Sequence, residues 1–362
     1  MTEVFIAVLG LAPINHRAAG KWPPSWLRRR PNSSGPKPRA STFLLLSIAG
    51  ALCLGGVTLD AARTRGTRPP NELGRVMILE YHGIGTPEGR WTHSPAHLRR
   101  DLEQLWEAGY RPITLNALIA GSIDLPRGAS PVVLTFDDSS PGQFRYVKRD
   151  DRQEIDPDCA VGILEDFARL HDGFQLTATF FVLPGADEPN RLFGQPEHEA
   201  RKLRYLVSRG FELGNHTLWH ADLSKYPEAV VMSQLARAQQ RIEQIVPGYR
   251  LRALALPMGN YPRQIEWAVQ GSAAGVTYAH EAILMVGGGA APSPFSTRFD
   301  PYRLPRIQAV DSALDTWLSY FAQHPAQRFV SDGDPDTLTI PRDRREDVRI
   351  RPGHDLRIIE LD

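Results

Sequence analysis

The chain has 362 residues with 42 Lys and Arg against 41 Asp and Glu, a balance that argues against a nucleic-acid binder, whose basic surface shows as an excess of positive charge. Hydrophobic residues at 42% allow a sizeable core, and the length suits one large α/β domain with extras, since barrels run to about 200–250 residues. The two cysteines, Cys53 and Cys159, make neither a disulfide framework nor a CxxC pair, so they leave the redox compartment open.

Residues 1–39 are rich in Pro, Arg and Lys, with Glu3 as the only acid; this composition predicts a disordered basic leader. Residues 40–59 carry no charge and approach the ~20 residues needed to span a bilayer. They read as a membrane segment, with the leader kept in the cytoplasm and everything after Asp60 exported, or as a cleaved signal peptide. Residues 60–75, with Arg63, Arg65, Arg68, Pro69 and Pro70, have the composition of an exposed linker.

The folded domain is expected over 76–325. Val76 to His82 reads as its first strand, and Ser94 to Gly109 as an amphipathic helix with an N-cap Ser, a Pro in the first turn and a terminal Gly. A strand is expected over 111–115 and a connecting segment over 118–128. Val132 to Asp138 is a β-branched apolar run ending in two carboxylates, the pattern of a buried strand delivering charge to its C-terminal rim. The polar stretch 139–158 reads as a surface flap.

Further along, helices are expected over 157–171, 197–210, 227–246 and 311–324, and strands over 178–183, 211–214, 251–256, 275–278 and 282–286. Gly287-Gly288-Gly289 lacks the Gly-Lys-Ser/Thr ending of a phosphate loop and suits a tight turn. From 326 to 362, alternating runs at 337–340, 348–350 and 356–361 predict a small β appendage outside the barrel.

After the strand at 211–214 come two imidazoles four residues apart, His216 and His220. With one carboxylate of the Asp137-Asp138 pair they can close on a divalent metal, leaving an open fourth position of the hydrolytic zinc type. Thr135-Phe136-Asp137-Asp138, Ala178-Thr179-Phe180-Phe181-Val182 and His216-Thr217-Leu218-Trp219-His220 resemble, in that order, the TFDD motif, ATFFV strand and H-[ST]-x-x-H motif of the NodB-type polysaccharide deacetylases, carbohydrate esterase family 4. Tyr81-His82-Gly83-Ile84 resembles the YHxI opening of the exported branch that includes poly-β-1,6-N-acetylglucosamine deacetylases. The resemblance implies a deformed (β/α)7 barrel. It also implies a metal, most often zinc, held by Asp138, His216 and His220, with Asp137 as the base that takes a proton from water.

By the same resemblance His82 is a candidate substrate contact, and Pro257, Met258, Gly259 and Tyr261 form one wall of the groove, like the family's RxPxG motif. Here the chain departs from the pattern, because Ala255 stands where the motif has its Arg. Arg306, in a stretch similar to the late LPR segment, is the candidate to orient Asp137 in its place. The family's late general-acid histidine has no clear counterpart among His280, His324 and His354. The expected activity is metal-dependent removal of N-acetyl groups from an extracytoplasmic N-acetylglucosamine polymer, with no nucleic-acid partner. An O-acetyl xylan-type esterase and a catalytically impaired glycan-binding barrel stay open as alternatives.

Overall fold

A computed structural model describes residues 68–350 and 355–362. The leader, the charge-free segment 40–59 and His354 lie outside the described residues. Among the described residues no helix is long and apolar enough to cross a membrane.

The domain opens with β1 (Met77–Tyr81) and the short β2 (Gly83–Ile84) and β3 (Thr92–His93). Ser94 Oγ accepts the His97 N–H at 3.1 Å and, with Pro95 in the first turn, starts α1 (Pro95–Glu107). The next strand, β4 (Tyr110–Pro112), stops short of the expected 115. Thr114 there caps a helix, α2 (Leu115–Ala120), closed by Gly121 in the left-handed region, where a plain connection was expected. After β5 (Ser130–Phe136), the polar stretch folds into an antiparallel hairpin of β6 (Tyr146–Arg149) and β7 (Arg152–Ile155). Its two-residue turn is Asp150-Asp151, both at positive φ, as tight hairpins require.

The chain continues with α3 (Ala160–Leu170), β8 (Thr179–Val182), α4 (Glu199–Ser208), β9 (Glu212–Asn215), α5 (Glu228–Ile245) and β10 (Ala253–Ala255). A one-turn helix α6 (Glu266–Val269) leads into the hairpin β11 (Gln270–Ala273) and β12 (Val276–Ala279). The last barrel strands are β13 (Ala282–Gly288) and β14 (Leu304–Gln308), followed by α7 (Ala313–Gln323) and the parallel pair β15 (Thr337–Pro341) and β16 (Arg357–Leu361).

Strands β1, β14, β13, β10, β9, β8 and β5 pair in that order, all parallel, and β5 pairs back onto β1. Seven strands therefore close into a deformed (β/α)7 barrel, with β4 beside the first residues of β5. Because successive side chains alternate, Met77, Leu79, Val132 and Leu134 face outward. There they pack with Leu98, Leu102 and Leu105 of α1 and Ile163 and Leu164 of α3. The intervening Val76, Ile78 and Val133 join Ala255, Leu284 and Leu304 in a second core. The same alternation turns Glu80, Thr135 and Asp137 inward, further along the strands.

The described residues of the 326–362 segment form a sheet of their own that packs against the barrel. Phe329, Leu338 and Ile340 belong to the same core as Val76, Ile78 and Val133, and Asn71 and Val330 exchange backbone hydrogen bonds at 2.9 and 3.0 Å. An open barrel end would leave those apolar side chains in water, and the C-terminal segment covers it. Of the three runs expected there, 348–350 forms no strand; Val348 makes only an isolated bridge to Ser296.

This floor contains a buried acid. Glu72 accepts from the Thr339 N–H at 2.7 Å, yet burial, reinforced by Asp332 and Asp334, pushes its carboxyl up to about 8. Its folded-state value lies above the ordinary 4.5, so its contribution to stability is full below that pH and is lost as pH rises through about 8. Glu72→Gln is expected to be more stable than the parent by about 1–3 kcal/mol at about pH 9, with the gap closing near pH 5. Urea unfolding at both pH values checks this; an equal effect at both would contradict it.

Candidate active site

The C-terminal ends of neighbouring strands bring the chemistry together, as parallel barrels do. β5 runs into Asp137, β9 into His216, β1 carries Glu80 and leads to His82, and β14 carries Arg306. Asp137 is buried, and the fully buried Arg306 grips it with both ends of its fork. Nη1 donates to Oδ1 at 2.8 Å and Nη2 to Oδ2 at 2.7 Å. Arg306 is itself fixed, Nε donating to Met285 O at 2.8 Å and Nη1 to Thr135 Oγ1 at 3.2 Å. Thr135 in turn donates to Leu79 O at 2.8 Å. A planar guanidinium held this way can present only one geometry to a carboxylate.

Glu80 Oε1 lies 3.5 Å from the same guanidinium, so two carboxyls share one cation. Burial pushes both up. For Asp137 the Arg306 charge, helped by His216, outweighs burial and holds it below the usual carboxylate range. For Glu80, burial and the neighbouring Asp137 win, and it lies above that range. The same cation thus faces two acids whose surroundings push them in opposite directions.

Asp138, at φ +76°, directs its carboxyl to the histidines. Oδ1 lies 3.2 Å from His216 Nε2 and 3.4 Å from His220 Nε2. The other His216 nitrogen, Nδ1, donates to Ala255 O at 2.9 Å, which leaves a lone pair on Nε2 in the neutral ring. Burial works to raise the Asp138 carboxyl, but His216, His82 and His220 outweigh it and hold it well below the usual range. Its Oδ1 is buried and accepts no hydrogen bond. Bonds of ~2.0–2.2 Å to a tetrahedral ion would put neighbouring donors about 3.3–3.5 Å apart, close to the 3.2 and 3.4 Å that separate Asp138 Oδ1 from the two imidazole nitrogens. Carboxylate and imidazole donors are the set zinc takes, so these residues fit a divalent metal.

The turn carrying the histidines is held by its own polar groups. Asn215 Oδ1 accepts the Thr217 N–H and Thr217 Oγ1 the Ala221 N–H, both at 2.9 Å, and Gln234 Oε1 accepts the Leu218 N–H at 3.2 Å. Thr217 and His220 sit at positive φ, as do Asp138, Ser139 and Met258. Left-handed backbone at non-glycine residues is costly and gathers at functional rims.

His82 stands over Glu80, Nε2 to Oε1 3.8 Å, and a ring nitrogen and carboxylate oxygens of His82, Glu80 and Asp137 fall within 4.8 Å of one another. Its ring packs on exposed Trp91 at 4.7 Å between centroids. Of the later histidines, His280 is buried, with Nδ1 donating to Ala268 O and Nε2 accepting from Asn215; burial pushes it down to about 4. His324 ends α7, its ring stacked on Tyr320.

The expected wall follows β10 as a single turn, Pro257–Gly259, with Met258 exposed and Gly259 in the left-handed region against Val286. Tyr261 belongs to that segment, but its hydroxyl donates to Tyr302 O at 2.8 Å and so braces two loops. Sequence reasoning missed Glu80, whose signal was a lone acid inside an apolar strand two residues before His82. It also missed buried Gln143, whose amide donates to His82 O at 2.9 Å and to Asp137 O, tying the root of the β6–β7 insertion to the site.

Residues 124–279 match the polysaccharide deacetylase family model, so this part of the barrel is similar to that family. The match leaves out β1 with His82 and β14 with Arg306. A chitooligosaccharide deacetylase of Bradyrhizobium sp. (strain ANU 289) is 30% identical over 138 residues, 38% of this chain; the chain spans about half, 50%, of that relative. The Streptococcus pyogenes deacetylase PplD, solved with acetate, superposes with a TM-score of 0.51 at 18% identity, covering 68% of this chain and 97% of that one. A polysaccharide deacetylase from Bacillus cereus gives 0.51 at 19% identity, covering 68% of each chain. These two likenesses establish the fold.

Arg306→Met would leave Asp137 buried without its cation and is expected to cost about 3–5 kcal/mol of stability. Adding Asp137→Asn should recover part of that loss. Urea unfolding of the two single variants and the double variant tests it; strictly additive losses would contradict the coupling.

Proposed function

We propose that this chain is a metal-dependent deacetylase that removes N-acetyl groups from an N-acetylglucosamine-containing polysaccharide outside the cytoplasm. The observation that carries the reading is the orphaned Asp138 oxygen facing His216 and His220, beside a second carboxylate locked by Arg306. Asp138, His216 and His220 would hold the ion, zinc by donor type. When bound, such an ion supplies a Lewis acid that makes hydroxide available near neutral pH.

The chain's own groups then divide the work. Arg306 keeps Asp137 ionised, and each of its carboxylate oxygens retains a lone pair beyond the one Arg306 occupies, so Asp137 can accept the proton of the attacking water. Its Oδ2 lies 4.0 Å from His216 Nε2, next to the residues that would hold the ion. Expelling a sugar amine needs a proton donor, and His82 is the candidate imidazole: a ring nitrogen lies within 4.8 Å of an Asp137 carboxylate oxygen, and its Nε2 is 3.8 Å from Glu80 Oε1. An ester leaves without that help, so an acid in this place favours amide substrates. The exposed Trp91 ring beside His82 offers a flat apolar face to a sugar ring. The similarity to a chitooligosaccharide deacetylase supports the same substrate class. The charge-free segment 40–59 behind a basic leader is the feature of the sequence that supports the extracytoplasmic part of this reading.

The test is acetate release from chito-oligosaccharides and from acetylated xylan. The parent is expected to act on the first, and Asp137→Asn to lower its rate about 10²–10⁴-fold. His82→Asn should slow chito-oligosaccharide turnover about 10²-fold while leaving an aryl acetate, whose leaving group needs no proton, within several-fold of the parent. Equal losses on amide and aryl ester would remove His82 from that role, and turnover of xylan alone would sink the substrate assignment.

A further inference from the structure

A histidine–carboxylate trio apart from the active site joins β3 to α1. His97 and Asp101 are four residues apart on α1 and share a face, and His93, just before the Ser94 cap, folds back over the first turn. His97 Nε2 is 3.5 Å from Asp101 Oδ1 and His93 Nε2 is 3.8 Å from Asp101 Oδ2. One donor atom from each of the three residues falls within 4.8 Å of the other two, the same measure that Asp138, His216 and His220 meet. We propose that His93, His97 and Asp101 form a second divalent transition-metal site that staples β3 to α1.

The surroundings prepare these groups as ligands. Glu88 Oε1 lies 3.0 Å from His97 Nδ1, and a carboxylate there can only accept, so Nδ1 carries the proton and the neutral ring turns a lone pair at Nε2 toward Asp101. An imidazole oriented by a carboxylate on its far nitrogen is the usual support of a metal-bound histidine. Tyr81 donates its hydroxyl to Asp101 Oδ2 at 3.1 Å and fixes that carboxylate. His93 and Asp101 are buried, at 5% and 2% exposure, and the 3.8 Å separation exceeds hydrogen-bond length. At these distances the imidazoles and the carboxylate do not bond one another, and two imidazoles with one carboxylate suit zinc, cobalt or nickel better than calcium or magnesium.

The site would have a structural task. Trp91 stands two residues before His93, and this loop is tied to β2 by Gly83 N–H to Trp91 O and Gly85 N–H to His93 O, both 2.8 Å. An ion on His93 and α1 would fix the loop that presents Trp91 to His82.

The test is metal counting on the full chain, loaded with zinc, desalted and measured by mass spectrometry. The parent is expected to retain about two equivalents, His97→Ala about one, His216→Ala about one, and the double variant none. Cobalt loading of His216→Ala should still give the visible absorption of a low-symmetry site, lost on adding His97→Ala. Should His97→Ala fail to fold by circular dichroism, His93→Gln gives the same readout. A parent holding one equivalent or none, or a His97→Ala variant as metal-rich as the parent, overturns the proposal. The His216→Ala arm reports separately on the ion at Asp138, so failure of one assignment is distinguishable from failure of the other.

Discussion

The constraint on which this domain turns is the burial of one guanidinium between two carboxyls inside a barrel. Arg306 meets Asp137 through two parallel hydrogen bonds and approaches Glu80 as well, with all three side chains removed from water. Desolvating such a group is expensive, and the attraction repays it only where geometry is near ideal and remaining donors are satisfied. Met285 O and Thr135 Oγ1 supply that satisfaction. The arrangement is therefore an organising device more than a source of stability. It makes one orientation of Asp137 far better than any other.

From that fixed point the adjacent residues acquire separate roles. Strand alternation sends Asp137 into the barrel, and the left-handed backbone at Asp138 turns the next carboxyl to the rim. Two consecutive acids, chemically alike, end in different environments: one bound by Arg306, the other with an oxygen aimed at two imidazoles and bonded to neither. His216 is oriented by a backbone carbonyl of β10, so the ligand turn depends on the register of that strand against β9, where Leu254 faces Asn215. The bent backbone at Asp138, Ser139, Thr217, His220 and Met258 is strain that the packed barrel beneath can hold in place.

Much of this was legible in the sequence because the informative residues are chain neighbours. Asp137 with Asp138, and His216 with His220, announce themselves by spacing, and β-branched runs ahead of them mark the strands that carry them. The partner of Asp137 was nameable because the usual Arg is missing at Ala255 and a late strand offers Arg306. What the chain order conceals is convergence across distance. Glu80 read as part of an apolar strand, since nothing local says that its inward face meets Arg306. Gln143 read as part of a polar flap, although its amide clamps the ends of β1 and β5. The packing of the C-terminal strands against the barrel was hidden because their own alternation is local, while their apolar partners, Val76, Ile78 and Val133, lie roughly 200 to 260 residues earlier. The helix α2 was hidden by its brevity: a Thr cap and a Gly stop enclose a single short element.

Asp138, His216 and His220 are expected to share one ion while Asp137 stays with Arg306. An anomalous-difference map at the zinc edge, from crystals of the metal-loaded chain, addresses this directly. The predicted result is a peak bonded at about 2.0–2.2 Å to Asp138 Oδ1, His216 Nε2 and His220 Nε2, with Asp137 still gripped by Arg306 and not bonded to the ion. A map with no peak among those three atoms, or with Asp137 drawn off Arg306 to become a ligand, would contradict it.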